Sequence, residues 1–436
     1  MKPKKSTRLN IGIVGTGIAG MGCAHFLQKG YDISMYEQND YVGGHTNTVT
    51  VDEDGTEIPI DTGFMVYNEV TYPNLVRLFR ELNVETKNTS MSFSVQHVPS
   101  GLDYSGSSLN HLFAQRRNIL SPRFVRMVWQ INRFNNECLE VLEGEKFASY
   151  TLEEYVQERG YGDDVLKKYL VPMSSAVWST PPDQMLRFPA VTLVRFFKNH
   201  GFLGLDTQHQ WRTVVNGTRS YRDKLIAPFR KKIHIGNPVV KVIRRKGKVE
   251  LRLRDGERIL HDRVILACHA DEALRMLDKP TTLEKKLLGE FKYQHNKATL
   301  HTDASLMPKT KLAWSSWNYR LSTDAKGNPR SSTIYYMNSL QGVSKKRDYF
   351  ISIDDPGTVN PRTILNEIDY THPVFSLGAI GAQKRLPLLN EQGPVHFCGS
   401  YFKYGFHEDA FTSALELCRT LTNKPIWMSG EESQQS

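Results

Sequence analysis

The run Gly15-Thr16-Gly17-Ile18-Ala19-Gly20 constrains this chain more than any other stretch. Ahead of it, Leu9 to Val14 is mostly Ile, Val and Gly, which predicts a buried strand. Behind it, Ala24 and Leu27 follow at helical spacing, and Tyr31 to Tyr36 predicts a second strand that ends at Glu37. Strand, glycine turn, helix, strand and acid make a βαβ opening of the dinucleotide-binding kind. Each residue type has a reason. Gly15 permits the tight turn, Gly17 lets backbone approach a pyrophosphate, and Gly20 lets the helix pack close to the strand. The helix N-terminus offers N–H donors and positive dipole to the diphosphate. Glu37 can accept from a 2′-hydroxyl, which favours an unphosphorylated ribose.

At 436 residues the chain is too long for one simple core and predicts two domains. With 39% hydrophobic and 23% charged residues, wholesale disorder is excluded. Basic residues outnumber acidic ones, 56 to 46, for a net charge of +10. The surplus is scattered, and no basic stretch carries the stacking aromatics of a nucleic-acid module. Cys23, Cys138, Cys268, Cys398 and Cys418 lie far apart, with no CxxC spacing. That pattern predicts reduced thiols in a cytosolic protein, with no disulfide framework and no metal site. The first twenty residues imitate a secretory leader, but cleavage there would destroy the glycine turn. No apolar run approaches the ~20 residues needed to span a bilayer. The expectation is a cytoplasmic protein, soluble or peripheral on the inner face of the membrane.

Further along, Leu75, Val76, Leu78, Phe79 and Leu82 form a helical stripe, and the chain turns largely helical and aromatic from about 105 to 205. Strands are predicted at Val239-Val240, Lys248 to Leu253, Lys297 to Asp303 and Ser332 to Met337. Gly393 to Ser400 predicts a strand and a second glycine turn, and Phe406 to Thr420 a closing helix. Arg116 to Phe134 mixes Arg116, Arg117, Arg123, Arg126 and Arg133 with apolar residues, including Phe124 and Trp129. Ser121-Pro122 reads as its cap and first turn. Such a helix lies in a membrane interface or packs on the core with snorkelling arginines. Both readings stand. Leu186 to Leu203 lines an apolar tunnel or is simply core.

Six residues after Glu37 come Gly43-Gly44-His45-Thr46, and then Asp61-Thr62-Gly63. With this continuation the chain resembles the flavin-containing amine oxidase superfamily, in which His45 is usually Arg. A neutral histidine would supply no permanent cation there. The resemblance implies FAD, held non-covalently in a Rossmann-like α/β domain with an inserted α+β substrate domain. The implied division is 1–95, 206–285 and 386–425 for FAD, 96–205 and 286–385 for substrate, and a flexible tail at 426–436. Motif and resemblance together give the expected cofactor residues: Gly15, Gly17, Ile18, Ala19, Gly20, Glu37, Gln38, Gly43, Gly44, His45, Thr46, Gly63, Phe64, Val240, Gly399, His407, Glu408 and Asp409. The resemblance also places the N-terminus of the closing helix beneath the flavin, where its dipole would stabilise negative charge on reduction. It makes Lys297 the candidate catalytic residue, bridged by water to flavin N5.

A narrower resemblance rests on Asp61-Thr62-Gly63-Phe64 through Tyr67-Asn68, Tyr72-Pro73-Asn74-Leu75, Met91-Ser92-Phe93-Ser94 and Phe196-Phe197-Lys198-Asn199-His200. Trp314 through Trp317-Asn318-Tyr319, Met337-Asn338-Ser339-Leu340-Gln341 and Gly405 to Asp409 carry it too. These stretches look like a bacterial group of FAD-dependent oxidoreductases whose genes lie beside cyclopropane-fatty-acyl-phospholipid synthase-like methyltransferases. That implies oxidation or desaturation of a fatty acyl chain by hydride transfer, with such a methyltransferase as a partner. A single GxGxxG, with no second one downstream, argues against a nicotinamide-dependent reductase of the two-dinucleotide type. A redox-neutral double-bond isomerase, an amine oxidase and a non-catalytic FAD-binding partner stay open. Oligomeric state is not legible.

Overall fold

The computed structural model describes residues 8–178, 180–204, 209–324 and 326–427. The tail expected at 426–436 therefore lies, from 428 onward, outside the described residues, as does the start of the chain before residue 8. The organising element is a five-stranded parallel sheet. Its order is Ile233–His234, Asp32–Tyr36, Asn10–Val14, Arg263–Leu266 and Val395–Phe397. Strands buried on both faces need continuous apolar runs, and Ile11, Ile13, Val264, Ile265 and Leu266 are all fully buried.

Helices Ile18–Leu27 and His407–Thr422 cover one face, sharing a core of Ile11, Ile13, Met21, Ala24, Phe411 and Ala414. They approach so closely that a Cβ on Gly22 would sit 3.0 Å from the Phe411 ring. Against the other face, Val14, Val264 and Leu266 share a core with Val242, Val249 and Leu251. Those residues belong to an antiparallel sheet of Val239–Arg245, Lys248–Leu253 and Arg258–His261.

A second, seven-stranded sheet carries most of the rest. Its order is Ile364–Val374, Lys292–His301, Phe350–Ile353, Pro329–Tyr336, Trp317–Thr323, Phe93–His97 and Leu102–Ser105. All its pairs are antiparallel except Trp317–Thr323 with Phe93–His97. The expected boundary at 95 falls inside that last strand. Between 109 and 200 the chain is helical, as its composition predicts. Helix Pro122–Glu137 starts where expected: Ser121 Oγ accepts from Phe124 N at 3.3 Å, with Pro122 in the first turn. Its inner face buries Phe124, Met127 and Phe134, and its outer face leaves Val125 and Trp129 exposed. The fold is α/β, a parallel sheet with a large α+β insertion.

Candidate active site

A cavity of about 1340 Å³ runs between the two sheets. One end is the glycine turn. Gly15, Gly17, Ile18 and Ala19 line it, followed by Glu37 and Gln38, with Val240 opposite. Gly15 has φ +99, and a Cβ there would lie 2.6 Å from the Ala267 carbonyl oxygen. A Cβ on Gly20 would lie 2.0 Å from the Gly15 oxygen, so helix and turn close only over glycine. A Cβ on Gly17 meets nothing within 4 Å, because the space beside it is the cavity. Helix Ile18–Leu27 has Gly17 at its N-cap and no side-chain cap. Its first amides therefore keep their capacity for an anion.

The Glu37 carboxylate is anchored. Oε2 accepts from Thr16 N at 3.0 Å and Thr16 Oγ1 at 2.6 Å, and Oε1 from Asn39 N at 3.0 Å. A carboxylate has about four acceptor positions, so Oε1 can take a ribose hydroxyl as well. The uncapped helix, the open Gly17 and this acid fit the diphosphate and ribose of FAD.

In the middle of the cavity Gly44, His45, Gly63, Phe64, Gly399 and His407 come together from three segments of the chain. His407 stacks flat on Phe64, with centroids 3.9 Å apart and planes at 5°. Its Nε2 lies 2.6 Å from Tyr221 Oη, which is also 2.5 Å from Thr46 Oγ1. That trio ties the Gly43–Thr46 loop to the closing helix. Burial pushes the His407 ring down to about 3.

His45 stacks on Tyr370, and its Nε2 lies 3.3 Å from His372 Nε2. The protons can be placed. Asn296 Nδ2 donates to Asp354 Oδ2 at 2.5 Å, so Asn296 Oδ1 is the group facing His372 Nδ1 at 2.7 Å. His372 Nδ1 then donates, its Nε2 accepts, and His45 Nε2 is the donor to it. Burial holds His45 well below its ordinary value and His372 at about 4. With its one N–H given to His372, the neutral His45 ring keeps only Nδ1, an acceptor, and the position brings no fixed cation to the cofactor end.

The far end of the cavity is aromatic. Phe196 packs on Trp178 at 4.9 Å and on Phe406 at 5.2 Å, and His200 stacks on Phe196 at 4.0 Å. Trp211, Trp317, Tyr335 and Phe375 continue the lining. The lining carboxylates, among the described residues, sit instead on the 37–41 loop, the helix Ala270–Met276 and the strand Ile364–Val374. Within 186–203 the tunnel and core readings divide by residue: Phe196, His200 and Phe202 line the cavity, and Leu193 and Phe197 are core.

Several expected residues do not reach the lining. Gly20, Gly43 and Thr46 shape it from behind. Lys297 is a correction: its side chain is 53% exposed, and Nζ lies 3.4 Å from Glu367 Oε1. Strand alternation decides this, since Asn296 and Ala298 point inward and the residue between them must point out. Glu408 and Asp409 are corrections too. Glu408 Oε1 accepts from Asn74 N at 3.0 Å and Oε2 from Leu75 N at 2.9 Å. It thus caps helix Pro73–Glu81, whose own N-cap, Tyr72, makes no side-chain bond. Asp409 Oδ2 accepts from Tyr404 N at 3.1 Å and Phe406 N at 2.9 Å, and burial raises it to about 7. Conversely, Tyr221, His269, His372 and Trp178 belong to the site or support it, yet they sit in no spaced motif. Only the fold reveals them.

Glu408→Ala should strand two buried amides, each worth about 1–3 kcal/mol. Urea unfolding should show a loss of roughly 2–6 kcal/mol with FAD affinity unchanged. Loss of FAD at full stability would restore Glu408 to the cofactor.

The family model for flavin containing amine oxidoreductase matches residues 18–339. The chain is 26% identical over 224 residues to a 15-cis-phytoene desaturase of Narcissus pseudonarcissus, a match covering 46% of this chain and 37% of that protein. It thus spans well under two thirds of that curated relative's length. Among solved structures, putrescine oxidase bound to putrescine superposes with a TM-score of 0.66 at 14% identity, covering 95% of this chain and 99% of that one. A CLA-producing fatty acid isomerase from P. acnes superposes with a TM-score of 0.66 at 13% identity, covering 96% and 99%. A glycine turn, an anchored acid and a closing helix around one cavity, with a family match over most of the chain, lead to one assignment. The chain belongs to the flavin containing amine oxidoreductase family and is an FAD-dependent oxidoreductase.

Proposed function

We infer that the substrate is an extended apolar chain, an unsaturated or methylated fatty acyl group, from which a hydride is removed. The aromatic end of the cavity carries this reading. Phe196, Trp178, Phe406 and Trp211 lie there without a lining carboxylate among the described residues, and an ammonium substrate would need an acceptor for its charge. FAD, when bound, supplies the ring that accepts the hydride. The chain's own residues hold the substrate and keep it dry. Trp178 Nε1 donates to the Tyr404 carbonyl at 3.3 Å, which fixes the indole against Phe196. His200 Nδ1 donates to the Phe196 carbonyl at 3.0 Å, and because burial keeps the ring neutral its Nε2 is an acceptor. Burial holds it at about 4.

Two of the similar proteins are named for apolar substrates, a phytoene desaturase and a fatty acid isomerase. Desaturation removes a hydride and a proton, and oxygen or a quinone must then reoxidise the cofactor. Isomerisation returns the hydride to the same chain. Anaerobic mixing of the FAD-loaded protein with linoleate should bleach the oxidised flavin, and putrescine should not. Rearranged double bonds without lasting bleaching would select the isomerase form of the same reading. Bleaching by putrescine alone would overturn it.

A further inference from the structure

We propose that the surface formed by residues 109–129, with the groove at its foot, docks on an anionic phospholipid bilayer. Two separate observations meet there. The first is apolar. Leu109, Leu120 and Trp129 are 63%, 86% and 61% exposed, and Ile119 and Val125 are exposed beside them. They sit on three consecutive elements, Leu109–Leu112, Arg116–Leu120 and Pro122–Glu137. Val125 and Trp129 are one helical turn apart, on the face opposite buried Phe124 and Met127. Scattered exposed leucines need no explanation, but five exposed apolar side chains within residues 109–129, a tryptophan among them, mark an interaction surface.

The second observation is charge. From Tyr104 to Asn136 the chain has five arginines and no acidic residue. Arg116 is held in place by Asn110 Oδ1 at 2.7 Å and the Phe113 carbonyl at 3.1 Å, and Arg117 by the Gly101 carbonyl at 2.6 Å. Arg116, Arg117 and Arg126 have no carboxylate ion-pair partner among the described residues, whereas Arg123 is bound by Asp164. Arg116, Arg117 and Lys309 line a separate groove of about 700 Å³, with Asp103 as its one acid. Asp103 is buried, takes a bond from Gln115 Nε2 at 3.2 Å, and is raised by that burial. Three cations against that single lining acid suit the groove to phosphate headgroups.

A second copy of this chain is a poor occupant. A two-fold contact would set the same arginines against one another. A bilayer offers apolar depth for Leu120 and Trp129 and phosphates for the arginines at its rim.

The test is co-sedimentation of the full-length, FAD-loaded protein with vesicles, which needs no turnover and so stands apart from the substrate assignment. Phosphatidylcholine vesicles containing phosphatidylglycerol should bind the protein, release it in high salt, and outcompete pure phosphatidylcholine. Each basic residue at such a surface is worth about five-fold in affinity, so Arg117→Gln with Arg126→Gln should weaken binding about 25-fold. Leu120→Ser with Trp129→Ser should weaken it about ten-fold or more. Both variants should keep the parental melting temperature and flavin spectrum, because the altered side chains are exposed. Equal binding to neutral and anionic vesicles, or binding indifferent to both variants, would overturn the proposal. So would a dimer that Leu120→Ser with Trp129→Ser dissolves, which would assign the face to a second copy.

Discussion

Gly17→Val is expected to fold like the parent protein and to lose FAD. Gly17 has φ −61 and ψ 175, a conformation open to any residue, so the substitution brings no backbone strain. Its Cβ would enter empty cavity, not protein. The new side chain occupies the place where backbone must approach the diphosphate. Overlap of that kind costs about 1–3 kcal/mol, or roughly 10- to 100-fold in affinity. Gly20→Val should behave in the opposite way. Its Cβ would strike the Gly15 carbonyl, a backbone atom that cannot swing aside, so the protein should fail to fold. Thermal melting of the apoproteins separates the two, and FAD titration measures the first. Parental FAD affinity in Gly17→Val would mean that the diphosphate lies elsewhere.

Acid should unfold the protein and release the flavin well before its carboxylates are protonated. Burial depresses His45, His200, His269, His372 and His407, all in the cavity wall, with His200 and His372 at about 4 and His407 at about 3. In the unfolded chain histidine titrates near 6.5. Between about 6.5 and 4 the unfolded state binds more protons than the native one, so stability is lost as pH falls through that window. One such histidine accounts for on the order of 3 kcal/mol, and a few together rival a whole domain's ~5–15 kcal/mol. Asp409 works the other way. Its folded value of about 7 exceeds its unfolded one, so its contribution is present at low pH and lost as pH rises from about 4 to 7. Burial raises Asp61, Asp103, Asp354 and Glu408 in the same sense, while His261, His301 and His396, each at about 4, add to the histidine side. Urea unfolding at stepped pH, with flavin fluorescence as the second readout, should show falling stability below about 6.5, and a steeper fall in Asp409→Asn. A flat profile from pH 8 to 5 would refute the neutral histidines.

The parts of the site legible in the sequence are those where local pattern and global position coincide. Gly15, Gly17 and Glu37 belong to one βαβ unit, and the hydrogen bonds that join them run within it. Lys297 shows the limit. A one-residue offset turns a side chain to the other face of a strand, and Lys297 sits in the middle of Lys292–His301 on the face opposite Asn296 and Ala298. Glu408 shows another. An acid in a first helical turn suits an approaching ligand or a neighbouring helix equally, and the deciding neighbour, Asn74, lies 334 residues away. His45 and His372 are joined across 327 residues for the same reason. Within the aromatic stretch, composition announces apolar surroundings for both Phe196 and Phe197, and only the packing sends one to the cavity and the other to the core.

The parallel sheet takes its central strands from residues 10–14 and 263–266 and its edge from 395–397, and the helix over it ends at residue 422. During synthesis, then, the glycine turn leaves the ribosome long before the surfaces that bury it exist. Met21, Cys23 and Ala24 on the first helix stay without Phe411 and Ala414 until some four hundred residues later in the chain have been made. His407, Gly399 and the Glu408 cap arrive together on the segment from 395 to 422. Cofactor loading consequently waits for that segment, and a polypeptide stopped near residue 390 holds an exposed apolar helix and half a cofactor site.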